Sequence, residues 1–300
     1  MNPETKGSSW LHRMVKWCGP EFCYLFSPFV VMFYYLAQSS QRTSLRTFYQ
    51  RLGYGSIRSY LNSYINFLYF AHSLIDRMLF FNDIARPKIH TTAQQLSQLN
   101  PNTGGILVGA HMGDWAQSAL YLQQIKGIKL NLVMDASISP QFQQFFERAV
   151  EGKCKIIDIN QPGVGLFLEI KSALEVNEFV CFLADRLESH TKTHSHSFLG
   201  KAKDFPLAPF EVACILKKPI LAFFCLKTKL SHHPQYFLEV AHLHSPNAQE
   251  TSARSAALES QRNFVLFLEK TVRQHHFNWF NFFDVWAQKT PQRAASASLG

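Results

Sequence analysis

The chain is short of acid. Its 300 residues carry 21 Asp and Glu against 30 Lys and Arg, a formal charge of +9. That balance suits an anionic partner: an acidic protein, an anionic lipid or a nucleic acid. Nucleic acid is set aside, because no run of clustered Lys and Arg forms the footprint that a phosphate backbone needs. Cysteine is sparse as well. Cys18, Cys23, Cys154, Cys181, Cys214 and Cys225 make no C-x-x-C pair. Cys154, Cys181 and Cys225 fall in apolar, strand-like runs and Cys214 in a helix-like one, which predicts reduced core thiols rather than nucleophiles. Reduced thiols favour a cytosol-facing domain. The chain has no G-x-S-x-G elbow, which argues against a serine hydrolase, and no Gly-rich phosphate loop or dinucleotide fingerprint. No internal repeat is present.

Apolar residues are plentiful: they make up 47% of the chain, and 27 residues are Phe. Residues Phe22 to Gln41 contain no charge, and Phe22, Tyr24, Phe26, Phe29, Phe33, Tyr34 and Tyr35 crowd that span. It is marginal as a full membrane span, which needs about 20 apolar residues. Pro28 interrupts it, and Gln38, Ser39, Ser40 and Gln41 close it. That ending also fits a signal-peptide cleavage site poorly. Arg13 and Lys16 lie before it, and Arg42, Arg46, Arg51 and Arg58 after it. Positive charge on both flanks gives no orientation and suits a kinked helix lying in, or dipping into, a leaflet. A second aromatic stretch, Tyr60 to Phe81, has Leu61, Tyr64, Ile65, Leu68, His72, Ile75 and Leu79 near helical spacing.

The middle of the chain alternates. Strands are expected at Ile106–Ala110, Lys129–Met134, Cys154–Ile159, Phe179–Ala184, Ile220–Leu226 and Tyr236–Val240. Helices are expected at Gly113–Gln124, Pro140–Val150, Val164–Leu174, Leu207–Leu216 and Ala253–Arg273, with a polar loop before Leu207. This order predicts an α/β fold with a largely parallel, mixed sheet flanked by helices, preceded by the aromatic N-terminal helical segment. The expected division is 1–40 for that segment, 41–290 for the main domain and 291–300 for a disordered Ala/Ser-rich tail.

The most telling stretch runs from Gly104 to Trp115. A buried strand ends in His111, and Asp114 follows three residues later. A histidine there sits at the rim where open α/β sheets bind ligands. A second strand ends in Asp185-Arg186. The segment Ser197-Phe198-Leu199-Gly200 forms a turn, and Asn278 to Trp286 packs five rings into nine residues. His190, His194 and His196 form a loose cluster in a polar loop. Without nearby cysteine or carboxylate ligands it reads as a solvated loop and not a metal site.

Taken in order, these blocks resemble the lysophospholipid acyltransferase superfamily, and within it the lipid A biosynthesis (lauroyl/myristoyl) acyltransferases of bacterial inner membranes. The resemblance covers most of the chain. The family's first motif is a histidine, then Gly, a small polar residue, an aromatic or Leu, and Glu. Here it is supplied by His111, Gly113, Asp114 and Trp115, and the expected Glu is Ala116. The resemblance implies that His111 deprotonates an acceptor hydroxyl, which attacks a fatty acyl thioester. The thioester is carried by acyl carrier protein or coenzyme A and is a substrate, with no cofactor and no metal. The acceptor is a lipid A precursor or another membrane glycolipid, and the site of action is the cytoplasmic face of the inner membrane. With Ala116 in place, the acid that orients the imidazole is open. Asp114 is the first choice, although it suits a helix cap as well. Asp185 is the second, and an impaired, lipid-binding relative or a thioester hydrolase are the further options. The resemblance also places Asp185, Arg186, Gly113, Trp115, Gly200 and Phe198 at the substrate. Arg186 suits a phosphate, and Gly200 lets backbone approach closely. A structural Asp185–Arg186 pair is the plainer alternative.

Overall fold

The structure is a computed structural model. It describes residues 19–81, 84–115, 117–118, 121–122, 127–136, 154–187, 192–246 and 252–287. The helix expected at Pro140–Val150, the tail after Pro291, His190 and Ala116 lie outside these residues. So do parts of the Gly113–Gln124 segment, of which Trp115, Gln117, Ser118, Tyr121 and Leu122 are helical.

Three helices come first: α1 (Pro20–Ala37), α2 (Ser39–Arg51) and α3 (Ser56–Phe81). Proline opens α1 at its first turn, where its missing N–H costs nothing. Strand β1 (Lys88–His90) and helix α4 (Ala93–Ser97) lead into the sheet. Strands β2 (Gly105–Gly109), β3 (Leu130–Met134) and β4 (Cys154–Asp158) follow, then α5 (Gly163–Glu175) and β5 (Phe179–Leu183). The hairpin β6 (Thr193–Phe198) and β7 (Lys201–Pro206) precedes α6 (Ala208–Ile215), β8 (Ile220–Lys227), β9 (Gln235–His244) and α7 (Ala253–Gln274).

The main sheet has the order β1-β9-β8-β2-β5-β3-β4. Strands β8, β2, β5, β3 and β4 run parallel. Strand β9 is antiparallel to β8 and parallel to β1, which makes the sheet mixed. Both faces are covered, as a parallel sheet requires. Ile106, Val108 and Ala110 point into a core shared with α2, α5, α6 and α7, through residues such as Phe48, Leu174, Phe210 and Phe264. Leu107 points the other way, with Phe179, Cys181, Phe223 and Leu238. Cys23, Cys181, Cys214 and Cys225 are buried.

The region read as a polar loop before Leu207 is a two-stranded hairpin. Its two-residue turn, Leu199-Gly200, has φ of 51° and 78°. Two left-handed residues match the twist of a tight hairpin. The segment looked loop-like because only its last residues, Phe198 and Leu199, turn fully inward on the β6 side.

Candidate active site

The sheet register builds the site. Gly109 pairs with Leu183 at the C-terminal ends of two adjacent parallel strands. The Ala184 N–H donates to the Gly109 carbonyl at 2.9 Å and carries the ladder one step further. His111 and Asp185 therefore leave the sheet side by side, although they are far apart in sequence. The Asp185 side chain is fully buried. Its Oδ1 accepts from the His111 backbone N–H at 3.0 Å and bonds the ring Nδ1 at 2.8 Å. Its Oδ2 accepts from Trp279 Nε1 at 3.2 Å and Asn281 Nδ2 at 3.1 Å.

Four donors on one carboxylate decide its charge. Burial alone would raise the Asp185 pKa. The charge and hydrogen bond of His111, the Arg186 guanidinium and the Asn281 amide outweigh burial and hold the carboxyl well below the usual range. An anion offers no proton, so in the neutral imidazole the hydrogen is on Nδ1 and the lone pair on Nε2. The His111 side chain is 28% exposed, so the basic nitrogen belongs to a residue that solvent reaches.

The backbone around His111 is fastened from the far end of the chain. A short 3₁₀ turn, His276–Asn278, feeds the ring-rich segment between the His111 turn and β8. Phe280 N–H donates to the His111 carbonyl at 2.8 Å, and Gly113 N–H to the Asn278 carbonyl at 2.8 Å. Asp114 N–H donates to the Cys225 carbonyl at 2.8 Å. Gly113 sits at φ 66°, and a Cβ added there would lie 1.8 Å from the Cys225 carbonyl oxygen. Only glycine fits. The motif position read as substrate-binding is thus where the turn meets β8.

Asp114 turns away from the imidazole. It accepts Arg77 Nε at 3.2 Å and Arg77 Nη2 at 3.1 Å, with Ser73 Oγ at 3.4 Å. It also accepts the Gln117 backbone N–H at 3.2 Å and the Gln117 side-chain amide at 3.1 Å. It is a helix cap and an ion-pair partner for α3. Asp185, and not Asp114, is the carboxylate bonded to His111.

Arg186 is half-buried. Its Nε donates to Asn281 Oδ1 at 3.1 Å and its Nη2 to the Phe280 carbonyl at 3.0 Å, with the guanidinium 5.0 Å from the Phe283 ring centre. Asn281 therefore touches both Asp185 and Arg186. Trp115 packs on the Leu107 side of the sheet. Phe198 is completely buried, edge-on to Trp279 at 5.4 Å and to Phe205 at 5.7 Å. It backs the tryptophan that holds Asp185 and is not at a cleft wall. Gly200 is at the exposed hairpin tip with open space beside it, so the turn explains that glycine. His194 and His196 lie on β6, and His196 bonds Gln261 at 2.9 Å.

Sequence reasoning missed Arg77, Trp279, Asn281 and Lys203. Trp279 and Asn281 stood in the ring-rich block, where rings drew attention from the amide. Lys203 is a buried lysine on β7 that donates to the Asp185 carbonyl at 2.8 Å. Burial, only partly offset by Asp185 and Asp204, pushes it down to about 8. The alternation of β7, which turns Lys203 inward with Phe205, was its only signal.

An imidazole fixed by a buried carboxylate at the open end of a parallel sheet is equipped to take a proton from a hydroxyl. The family model described as bacterial lipid A biosynthesis acyltransferase matches residues 86–288. That range contains His111, Asp114, Asp185, Arg186 and the Trp279–Asn281 segment. No curated protein matches the chain. The chain belongs to the bacterial lipid A biosynthesis acyltransferase family and is an acyltransferase.

Proposed function

We propose that the protein is an O-acyltransferase of the cytoplasmic face of the inner membrane. It moves a fatty acyl chain from an acyl carrier protein or coenzyme A thioester to a hydroxyl of a lipid A precursor or related glycolipid. The observation that carries this reading is the 2.8 Å bond from His111 Nδ1 to a buried Asp185 carboxylate. It supplies an acid for the imidazole although the motif's Glu position holds Ala116.

The step follows from that geometry. His111 Nε2 removes the proton of the acceptor hydroxyl as its oxygen attacks the thioester carbonyl carbon. Asp185 stabilises the imidazolium that forms. The tetrahedral intermediate collapses, the carbon–sulfur bond breaks, and the departing thiolate takes the proton back from Nε2. A general base of this kind is worth roughly 10²–10⁴-fold. Arg186 binds the phosphate of the carrier or the acceptor through its planar fork. The excess of basic residues suits both an acidic carrier protein and an anionic lipid surface.

The test is direct. Purified protein is incubated with acyl carrier protein thioester, or coenzyme A thioester, and a lipid A precursor, and acylated lipid is followed by mass spectrometry. His111→Ala is expected to lower transfer by roughly 10²-fold or more. Equal transfer by His111→Ala and the parent would overturn the site. Release of free fatty acid without acylated lipid would favour the thioester hydrolase.

A further inference from the structure

We infer that α1 lies in the plane of an anionic bilayer surface and does not cross the membrane. The inference deepens the membrane location proposed above and rests on it, but it does not depend on the acyl-transfer chemistry. By composition α1 alone would pass for a span. It has 18 residues and a mean hydropathy of 1.2, and at 1.5 Å per residue it approaches the ~30 Å of a bilayer core. What decides against a span is its inner face.

Cys23, Tyr24, Ser27, Val31 and Tyr35 are buried, and three of them carry hydroxyls tied to α3. Tyr24 donates to Asp76 at 2.6 Å, and Ser27 bonds His72 at 3.0 Å. Tyr35 bonds Ser63 at 2.8 Å and the Tyr60 carbonyl at 3.2 Å. Tyr64 of α3 returns a bond to the Pro28 carbonyl at 2.9 Å. The two helices run antiparallel along the length of α1. Helix α3 is in turn fastened to the catalytic sheet. Asp76 also holds Lys227 and Tyr236, Arg77 holds Asp114, and Asn66 donates to the carbonyls of His276, Phe277 and Trp279. The C-terminal end of α1 runs straight into α2, whose Leu45, Phe48 and Tyr49 sit in the main core. Both ends of α1 therefore meet the same body. A span would drag one end of that body, with its buried Asp76 and Lys227, through hydrocarbon.

The outer face is apolar and uncovered. Leu25, Phe29, Phe33 and Leu36 are 69, 71, 70 and 64% exposed, and Ile57 and Leu61 extend the patch on α3 at 79 and 59%. A soluble surface seldom shows so many large apolar side chains together. Charge identifies what covers them. No Asp or Glu occurs between Glu21 and Asp76, while Arg42, Arg46, Arg51 and Arg58 do. Arg42 caps the carbonyls of Tyr35 and Leu36. Arg46, Arg51 and Arg58 lie over the rings of Tyr60, Trp286 and Tyr54. None of the four pairs with a carboxylate among the described residues. Apolar rings beside uncompensated arginines match a surface with anionic headgroups over an acyl layer.

Two measurements test this. The first is flotation of purified protein with vesicles of phosphatidylcholine alone or mixed with phosphatidylglycerol. Binding is expected to be stronger to the mixture. Phe29→Glu with Phe33→Glu, both at exposed positions, should lower it at least tenfold, and Arg42→Gln or Arg58→Gln about fivefold each. The phenylalanine and Arg58 variants should keep the parent's unfolding midpoint. No binding to either vesicle overturns both this inference and the membrane location. A lipid-independent dimer that hides the patch overturns it in favour of a second copy. The second measurement places cysteine at the two exposed flanks of α1, Glu21→Cys or Ser40→Cys. Inside-out inner-membrane vesicles are treated with an impermeant maleimide, with the parent protein as background. Labelling of both sites supports the in-plane helix. Labelling of one and protection of the other shows a span and overturns it, leaving the membrane location intact.

Discussion

Two buried carboxylates, Asp185 and Asp76, differ in whether their partners reach solvent. Each is almost without solvent contact, and each is ringed by donors from distant parts of the chain. Around Asp76 the donors are Lys227, Tyr236 at 2.5 Å and Tyr24 at 2.6 Å, and all three are buried. That cluster closes on itself. Burial pushes the Asp76 carboxyl up and the Lys227 amine down, so charge there is tolerated rather than favoured. Around Asp185, neighbouring charge and hydrogen bonds win over burial and the anion is secured. One of its donors, His111, also reaches solvent. The difference lies in what the donors do with their other side: under the proposed function, a carboxylate serves the reaction through a partner that solvent reaches.

Exchanging the two acids for amides should separate these roles. Asp76→Asn strips the counter-charge from a buried lysine and is expected to cost about 3–5 kcal/mol of stability, read by denaturant unfolding, with any folded fraction retaining the parent's kcat. Asp185→Asn should do the reverse, lowering kcat by roughly 10²–10⁴-fold while the protein stays folded. If both variants lose stability and activity in the same proportion, the distinction between the two clusters fails.

Asn281→Ala sharpens the comparison within the Asp185 cluster. It removes one hydrogen bond from the Asp185 anion and one partner of Arg186. A bond to a charged group is worth about 1.5–3 kcal/mol, so a loss of roughly 10- to 100-fold in kcat/KM is expected. Asp114→Asn makes the matching measurement on the third carboxylate. Its bonds go to Arg77, Ser73 and Gln117, so stability should fall by about 1–3 kcal/mol, with kcat within a few-fold of the parent. A large loss of kcat in this variant, with unchanged stability, would return the orienting role to Asp114.

The smallest effect concerns pH. Burial first, and the charge of Lys227 second, push His72 from 6.5 down to about 4. Between those values the unfolded chain binds a proton that the folded one refuses, so stability falls as pH falls through that window. His72→Gln should flatten this slope in denaturant midpoints taken at pH 7 and pH 5. An unchanged slope would show that His72 titrates normally.

Much of the fold could be read from the sequence, because each strand carries its own apolar run and each helix its own period. Ile106–Ala110 and Phe179–Ala184 were recognisable, and so was His111 at a strand's end. Which acid faces His111 was not, because that depends on register. Strands β3 and β4 come between β2 and β5 in sequence, yet β5 is the neighbour of β2. Nearness along the chain favoured Asp114, and adjacency across the sheet favours Asp185. The pairing of Arg77 with Asp114 was hidden for the same reason, since α3 offers no local sign of what it meets. The β6–β7 hairpin was missed because its outward side chains are polar and on β6 only the residues next to the turn pack deeply.

The order of synthesis gives the register a further consequence. As the chain leaves the ribosome, the imidazole emerges well before its carboxylate, and that carboxylate precedes the tryptophan and asparagine that complete its cage. Strand β5 must also insert between two strands already made. The pair of His111 and Asp185 therefore gains its full set of supports only once translation has reached Asn281.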